Sequence, residues 1–542
     1  MSIKLDRIFA DGMILQRDKE ICVWGEVVPE AESCKTEHPE TKVCADEIQV
    51  TFDGQTVTAA SANGDGGHWM AKLKPHSAGT GFALSVRYRQ ECVTINDIAV
   101  GDVWVAGGQS NMEFYLKYEQ HVWQGRYPEF NDNIRFYDVP EVAFDGQEQA
   151  FDYSRMAVWR KAASIEDLDY FSAVGFYFAQ KVYASEQVPI GILGCNWGGT
   201  AILGWMDPET VKKVGQPWWE ETQRRLAGMD LDTYYRLQLK DPMNDTGNPM
   251  LNPFTVYMLP VARGDEEANA YLASVTPVVE TEIPTVGGLP VDGSEPPLQP
   301  QKLPGALYEH MVKKISDFPV KGFLYYQGES DDETSFGPGI YDKMFSGMID
   351  DWRTLWKDET LPFLAVQLAP FRHWLGIDAG DYVTLRQKQA DVAKEKEQVY
   401  LASIGDVGME LDIHPKDKKT VGERLALLAL GHVYGRELLC EAPAVKCVSR
   451  SSDGTEIEIK FDHAGEGLYL EKDRELPLQI LDDAGNALPF RYEASGDVLK
   501  ITLREKTDRP LKVLFARTNW YSVNLYNSAG IPAFPFACEV DE

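Results

Sequence analysis

The chain has 542 residues, which at roughly 100–200 residues per domain is enough for about three domains. Hydrophobic residues make up 44% and charged residues 25%, a balance that excludes general disorder and a small disulfide-stapled scaffold. The formal net charge of -31, with no sizeable cluster of Lys and Arg, excludes nucleic acid as a partner and weakly disfavours a strongly anionic sugar polymer.

The N-terminus, from Met1 to Asp11, has no apolar core following its basic residues, so it does not read as a secretory signal. Eight scattered cysteines (22, 34, 44, 92, 195, 440, 447 and 538) include no Cys-x-x-Cys pair. They read as free thiols of a reducing compartment, and the expected location is cytoplasmic. No stretch approaches 18 uninterrupted apolar residues, so no membrane partner is expected.

Residues 1–97 alternate in polarity in short runs, such as Glu20 to Gly25 and Phe82 to Tyr88, separated by Gly, Asp and Asn turns. This pattern predicts an N-terminal β domain of the small sandwich type. From residue 98 to 440 the period changes. Continuous apolar runs beginning at Val103, Gly191, Gly322, Pro362 and Tyr400 alternate with helical stretches. One predicted helix spans Ile340 to Trp356, with an apolar face at spacings of three and four; another starts near Thr420. Apolar strands alternating with helices predict an α/β domain around a parallel sheet covered on both faces. An insertion from about 215 to 304 carries a helix with Trp218, Trp219 and Leu226. It then runs into the Pro-, Gly- and acid-rich segment Pro284 to Pro297, a candidate lid. Residues 441–542 return to strand patterns and predict a C-terminal β domain.

In open parallel sheets ligands bind beyond the carboxyl ends of the strands, so the residues that follow each strand carry the functional reading. Gly107-Gly-Gln-Ser-Asn-Met brings Ser110 after the first run, and Cys195-Asn-Trp-Gly-Gly-Thr brings a Gly pair after the second. Gln327-Gly-Glu-Ser-Asp follows the run from Gly322, and Asp412-Ile-His-Pro follows the run from Tyr400. A serine needs a neighbouring base, and the base needs an acid to hold its tautomer. Ser110 alone reads equally well as a helix N-cap, and His414 alone as a structural histidine; it is their convergence on one rim that points to hydrolysis. His432, on an apolar helix face, reads as a satisfied core residue. His373 reads as a pocket residue. Gly198 and Gly199 expose backbone N–H groups suited to an oxyanion, and Trp197, Trp205 and Tyr326 are candidates for stacking on sugar rings. No Gly-x-Ser-x-Gly, His-Glu-x-x-His or phosphate-binding Gly loop occurs, so neither a metal nor any other cofactor is expected.

Together Gly108-Gln-Ser-Asn-Met, Trp197-Gly-Gly-Thr, Tyr326-Gln-Gly-Glu-Ser-Asp and Asp412-Ile-His-Pro resemble the blocks of the SGNH hydrolases. More narrowly, they look like the sialate O-acetylesterase and acetylxylan esterase branch. The resemblance implies a flavodoxin-like three-layer α/β/α catalytic domain flanked by β-sandwich-like domains. It implies Ser110 as nucleophile and His414 as base. It also implies an oxyanion hole from Ser110 N–H, Gly198 or Gly199, and Gln327, with Asn111, Trp197 and Tyr326 near the substrate. The position three residues before the histidine, where these enzymes commonly keep the acid, is Leu411. Glu329 is favoured as the acid over Asp412, with Asp406 third. The expected partner is a small acetylated sugar or oligosaccharide, sialate 9-O-acetyl esters first. Acetylated xylan or xylo-oligosaccharide is the alternative, and the acidic charge leans towards such neutral sugars. A non-catalytic carbohydrate-binding protein is the rival from another class. Association into a homo-oligomer stays open.

Overall fold

The computed structural model describes residues 2–28, 47–61, 67–241, 244–247, 257–275, 285–286, 289–290, 298–472 and 474–540. Its centre is a mixed eleven-stranded sheet. In chain order the strands are β1 (Ile14–Gln16), β2 (Ile48–Phe52), β3 (Gln55–Thr58), β4 (Gly79–Tyr88) and β5 (Glu91–Gly108), followed by β6 (Asn131–Asp138) and β7 (Trp159–Ala162). Then come β8 (Ile190–Asn196), β9 (Gly322–Tyr326), β10 (Phe363–Val366) and β11 (Val399–Ala402). The main path runs β7-β6-β8-β5-β9-β10-β11. From β6 to β11 neighbours pair in parallel, and β7 lies antiparallel on the edge.

Four helices cover this sheet: α1 (Ala173–Glu186), α2 (Gly337–Leu355), α3 (Tyr382–Glu395) and α4 (Lys418–Leu428). Side chains alternate across a strand, so neighbouring register positions report which helix lies on which face. Trp104 of β5 meets Phe178 of α1 with ring centroids 5.1 Å apart. Phe323 of β9, in register with Val105, meets Trp352 of α2 at 5.3 Å. Hence α1 and α2 lie on opposite faces, with α4 packed on α1 and α3 on α2. The mixed α/β expectation, the apolar strands and the helices near 340–356 and 420 all appear at these places.

Strand β5 explains how the N-terminal segment joins the rest. Over Glu91–Asn96 it alternates exposed positions with half-buried or buried ones, as a strand with one wet face should; from Ile98 to Gly108 every residue is buried. Its first half pairs antiparallel with β4, and its second half is the middle of the parallel sheet. Position 97/98, expected as a domain boundary, therefore lies inside one continuous strand. A second, four-stranded antiparallel sheet (Ser2–Leu5, Ile21–Val28, His68–Leu73 and Ala60–Ser61) completes the N-terminal region. Its buried residues Ile3, Val23 and Trp69 belong to the same apolar core as Trp104 and Leu425.

After residue 440 the chain forms a four-stranded and a three-stranded antiparallel sheet, with a core of their own that includes Ile459, Ile501 and Val513. Arg386 of α3 ties this region to the body: its guanidinium donates to the Thr518 carbonyl and stacks over the Tyr521 ring. In the insertion, helices occupy Gln216–Leu226, Leu231–Gln238 and Asp265–Val275. The proposed lid segment, apart from the short pairing of 285–286 with 289–290, lies outside the described residues, as do Cys34 and Cys44. The six described cysteines are unpaired thiols. Among the described residues no helix is long and apolar enough to cross a membrane.

Candidate active site

Strand β5 ends at Gly108, whose φ of 136° lies in the left-handed region. A Cβ there would sit 2.1 Å from the Tyr326 carbonyl oxygen, so only glycine lets β5 and β9 stay paired as the chain leaves the sheet. It turns at once into the single helical turn Ser110–Glu113. Gln109 fixes the turn on both sides. Its backbone carbonyl accepts the N–H groups of Met112 and Glu113 at 2.8 and 3.0 Å. Its side-chain carbonyl accepts from Gln327 Nε2, Gly328 N and Ser330 N at 3.2, 3.3 and 3.2 Å.

Ser110 Oγ lies 2.9 Å from His414 Nε2, although the two residues are 304 positions apart. His414 Nδ1 faces Asp412 Oδ1 at 3.6 Å, beyond hydrogen-bond distance but close enough for a strong electrostatic contact. The same Asp412 oxygen accepts the His414 backbone N–H at 2.8 Å. This Asx-type turn, stiffened by Pro415, holds the carboxylate beside the imidazole two residues on. Lys416 Nζ closes the chain of charges, 2.9 Å from Asp412 Oδ2. Burial raises the Asp412 pKa, but Lys416 and His414 outweigh it and hold the carboxyl below its ordinary value. Burial pulls the His414 pKa down to about 4 despite Asp412, with Lys416 and Lys418 lowering it further. At neutral pH the imidazole is therefore unprotonated, and with Nδ1 turned to the carboxylate, Nε2 is free to accept a proton from Ser110.

The backbone N–H groups of Ser110 and Gly199, two residues that line one cavity, donate to no backbone carbonyl among the described residues. Gly199 has φ 68°; in that conformation a side chain would be strained. Free backbone N–H groups are the type of donor that holds an oxyanion.

Residues 284–430 match the family model described as carbohydrate esterase, sialic acid-specific acetylesterase. The chain is similar over its whole length to a solved carbohydrate acetylesterase from Xanthomonas citri, with a TM-score of 0.72, 28% identity and 99% of each chain covered. The family model and the full-length structural likeness agree on one activity, the hydrolysis of carbohydrate esters. The sialate O-acetylesterase of Mus musculus is 24% identical over 511 residues, 87% of this chain and 84% of that one. The Homo sapiens counterpart is 23% identical over 414 residues, 71% of this chain and 64% of that one.

Several assignments expected for this esterase need correction. Glu329 is not the carboxylate beside His414. Its Oε1 accepts from Asn111 Nδ2 at 2.5 Å, and Asn111 Oδ1 in turn accepts from buried Lys418. Burial pushes the Glu329 carboxyl up. Asp406 is held by both terminal nitrogens of Arg424. Gln327 is no free oxyanion donor, since its Nε2 is spent on Gln109, the Thr200 carbonyl and Asp331. Nor is Gly198, because its N–H donates to Glu113 Oε2 at 2.7 Å. Trp197, Trp205 and Tyr326 are fully buried and Asn111 nearly so, and none of the four lines the cavity at Ser110 and His414.

Ser110, Gly199 and His414 open instead onto a cavity of about 680 Å³ whose rings are Tyr257, Phe371, Trp374 and Tyr382. The Trp374 ring stands edge-on to His414, centroids 4.9 Å apart. In the sequence Trp374 closes the run Phe371-Arg-His-Trp, in which His373 is the expected pocket residue. That imidazole is turned away onto Asp265 and Asp378 at 2.8 and 2.7 Å. His432 is exposed rather than core, bonded to Glu441 at 2.6 Å and stacked on Tyr400. Among the described residues two side-chain groups have donor spacing for a metal, His432 with Cys440 and Glu441, and Glu119 with His121 and Asp417. Neither lines the cavity.

Proposed function

We propose that this esterase hydrolyses O-acetyl esters on a sugar through an acetyl-enzyme formed on Ser110. Ser110 Oγ attacks the acetyl carbonyl carbon as its proton passes to His414 Nε2. The oxyanion is held by the N–H groups of Ser110 and Gly199. Asp412 stabilises the imidazolium, which then protonates the departing sugar oxygen. Water, giving its proton to the same nitrogen, attacks the acetyl-serine, and acetate leaves as Oγ is reprotonated. The catalytic unit in this reading is the SGNH-type α/β/α layer arrangement, with β-rich regions on either side.

The observation that carries the proposal is the 2.9 Å contact between a buried serine hydroxyl and an unprotonated imidazole. Acetate release from p-nitrophenyl acetate and from acetylated sugars tests it. Ser110→Ala is expected to stop turnover while the thermal melt stays near that of the unaltered protein. Wild-type turnover by that variant would overturn the assignment.

A further inference from the structure

The charge around the cavity bears on which sugars can enter it, an inference that rests on the esterase reading above. Lys302 is the one Lys or Arg among the described lining residues, and its ammonium is already paired with Glu333 at 3.1 Å. Asp332, Glu333 and Asp378 line the same cavity. Asp378 shares the His373 imidazole with Asp265, so two carboxylates meet one ring. The sequence before Tyr257 and before Lys302 adds no cation, because residues 242–256 and 276–301 contain neither Lys nor Arg, and Arg263, on the other side of Tyr257, is paired with Glu267. A carboxylate brought into this cavity would lose water without gaining a free cationic partner and would face fixed negative charge.

The apolar part of the lining has the opposite character. Tyr257 is 41% exposed, and its ring lies 6.2 Å from that of Trp374 at 78°. Trp374 is itself packed against His414, so this pair of rings begins at the reacting atoms and extends outward. Such faces accept the C–H surface of an uncharged pyranose.

We infer that this esterase takes acetyl esters of neutral glycans and discriminates against carboxylated sugars such as sialic acid. The test compares kcat/KM for 9-O-acetylated sialic acid, its methyl ester, and an acetylated xylo-oligosaccharide, with p-nitrophenyl acetate as the control for catalysis. The first two differ by one negative charge. The methyl ester is expected to exceed the free acid by about tenfold or more, the gap shrinking as salt screens the field. Glu333→Gln, which releases Lys302 from its partner, is expected to narrow the gap at low salt. Turnover of the xylo-oligosaccharide with neither sialic acid form cleaved would also support the inference. Free acid hydrolysed as fast as its methyl ester would overturn it and leave the esterase reading intact. Failure to cleave any substrate, the control included, would instead remove the esterase reading, and the inference with it.

Discussion

The floor and the mouth of the cavity are built from opposite chemistry. At the floor, Ser110 and His414 are buried, and two lysines, 416 and 418, lie beneath them with no exposure to speak of. Burial first, with Lys416 and Lys418 adding to it, keeps the imidazole unprotonated. At the mouth, carboxylates and the partly exposed rings of Tyr257 and Trp374 dominate, and Lys302, the one lysine among the described lining residues, is paired with Glu333. In the proposed mechanism the floor handles a proton and a developing negative charge, and in the inferred selectivity the mouth decides what reaches it. Substitutions in the two regions should therefore separate, those in the floor appearing in kcat and the pH profile and those in the mouth in KM and substrate preference.

The largest effect is expected at the nucleophile, where Ser110→Ala should lower kcat by a factor on the order of 10⁵–10⁶ in an acetate-release assay. Next is the acid: Asp412→Asn should lower kcat on the order of 10³–10⁴-fold, whereas Glu329→Gln should cost far less. A larger loss in Glu329→Gln than in Asp412→Asn would reverse the assignment made from the 3.6 Å contact. Gly199→Ala strains a left-handed position and displaces an oxyanion donor, with an expected cost on the order of 10²–10³ in kcat. At the mouth, Trp374→Ala should raise KM for a sugar ester about tenfold while changing kcat for p-nitrophenyl acetate little. The subtlest effect is on pH. Activity requires unprotonated His414, so it should fall as pH drops through about 4. Because Lys416 lowers the His414 pKa, Lys416→Met should move that acid limb to higher pH, and an unmoved or lowered limb would contradict the electrostatic account.

Much of the floor was legible in the sequence because it depends on where strands end. The apolar runs ending before Gly107, Cys195 and Gln327 mark β5, β8 and β9, and parallel pairing brings their ends to one rim without further information. Asp412 and His414 are also local, joined by an Asx turn. What the sequence could not convey was side-chain direction after the strand ends. Gly328, with φ 140°, sends Glu329 towards Asn111, and Glu113 reaches across from the Ser110 turn to occupy the Gly198 N–H. Both contacts join residues distant in sequence. The mouth was less legible still, since its rings come from irregular segments around 257 and 371–382, where no periodicity shows which side chain faces inward. The N-terminal division at 97/98 failed for a related reason. The polarity pattern changes there because β5 passes from a one-sided hairpin into a doubly covered sheet, and the strand itself does not break.

The claim on which everything else depends is that His414 activates Ser110 for attack on an acyl centre. Reaction with a fluorophosphonate, followed by mapping of the modified peptide by mass spectrometry, tests it most directly. The account predicts a single phosphonyl adduct on Ser110, formed rapidly in the unaltered esterase and orders of magnitude more slowly in His414→Ala. An unmodified Ser110, or an adduct whose rate of formation is indifferent to His414, would contradict it.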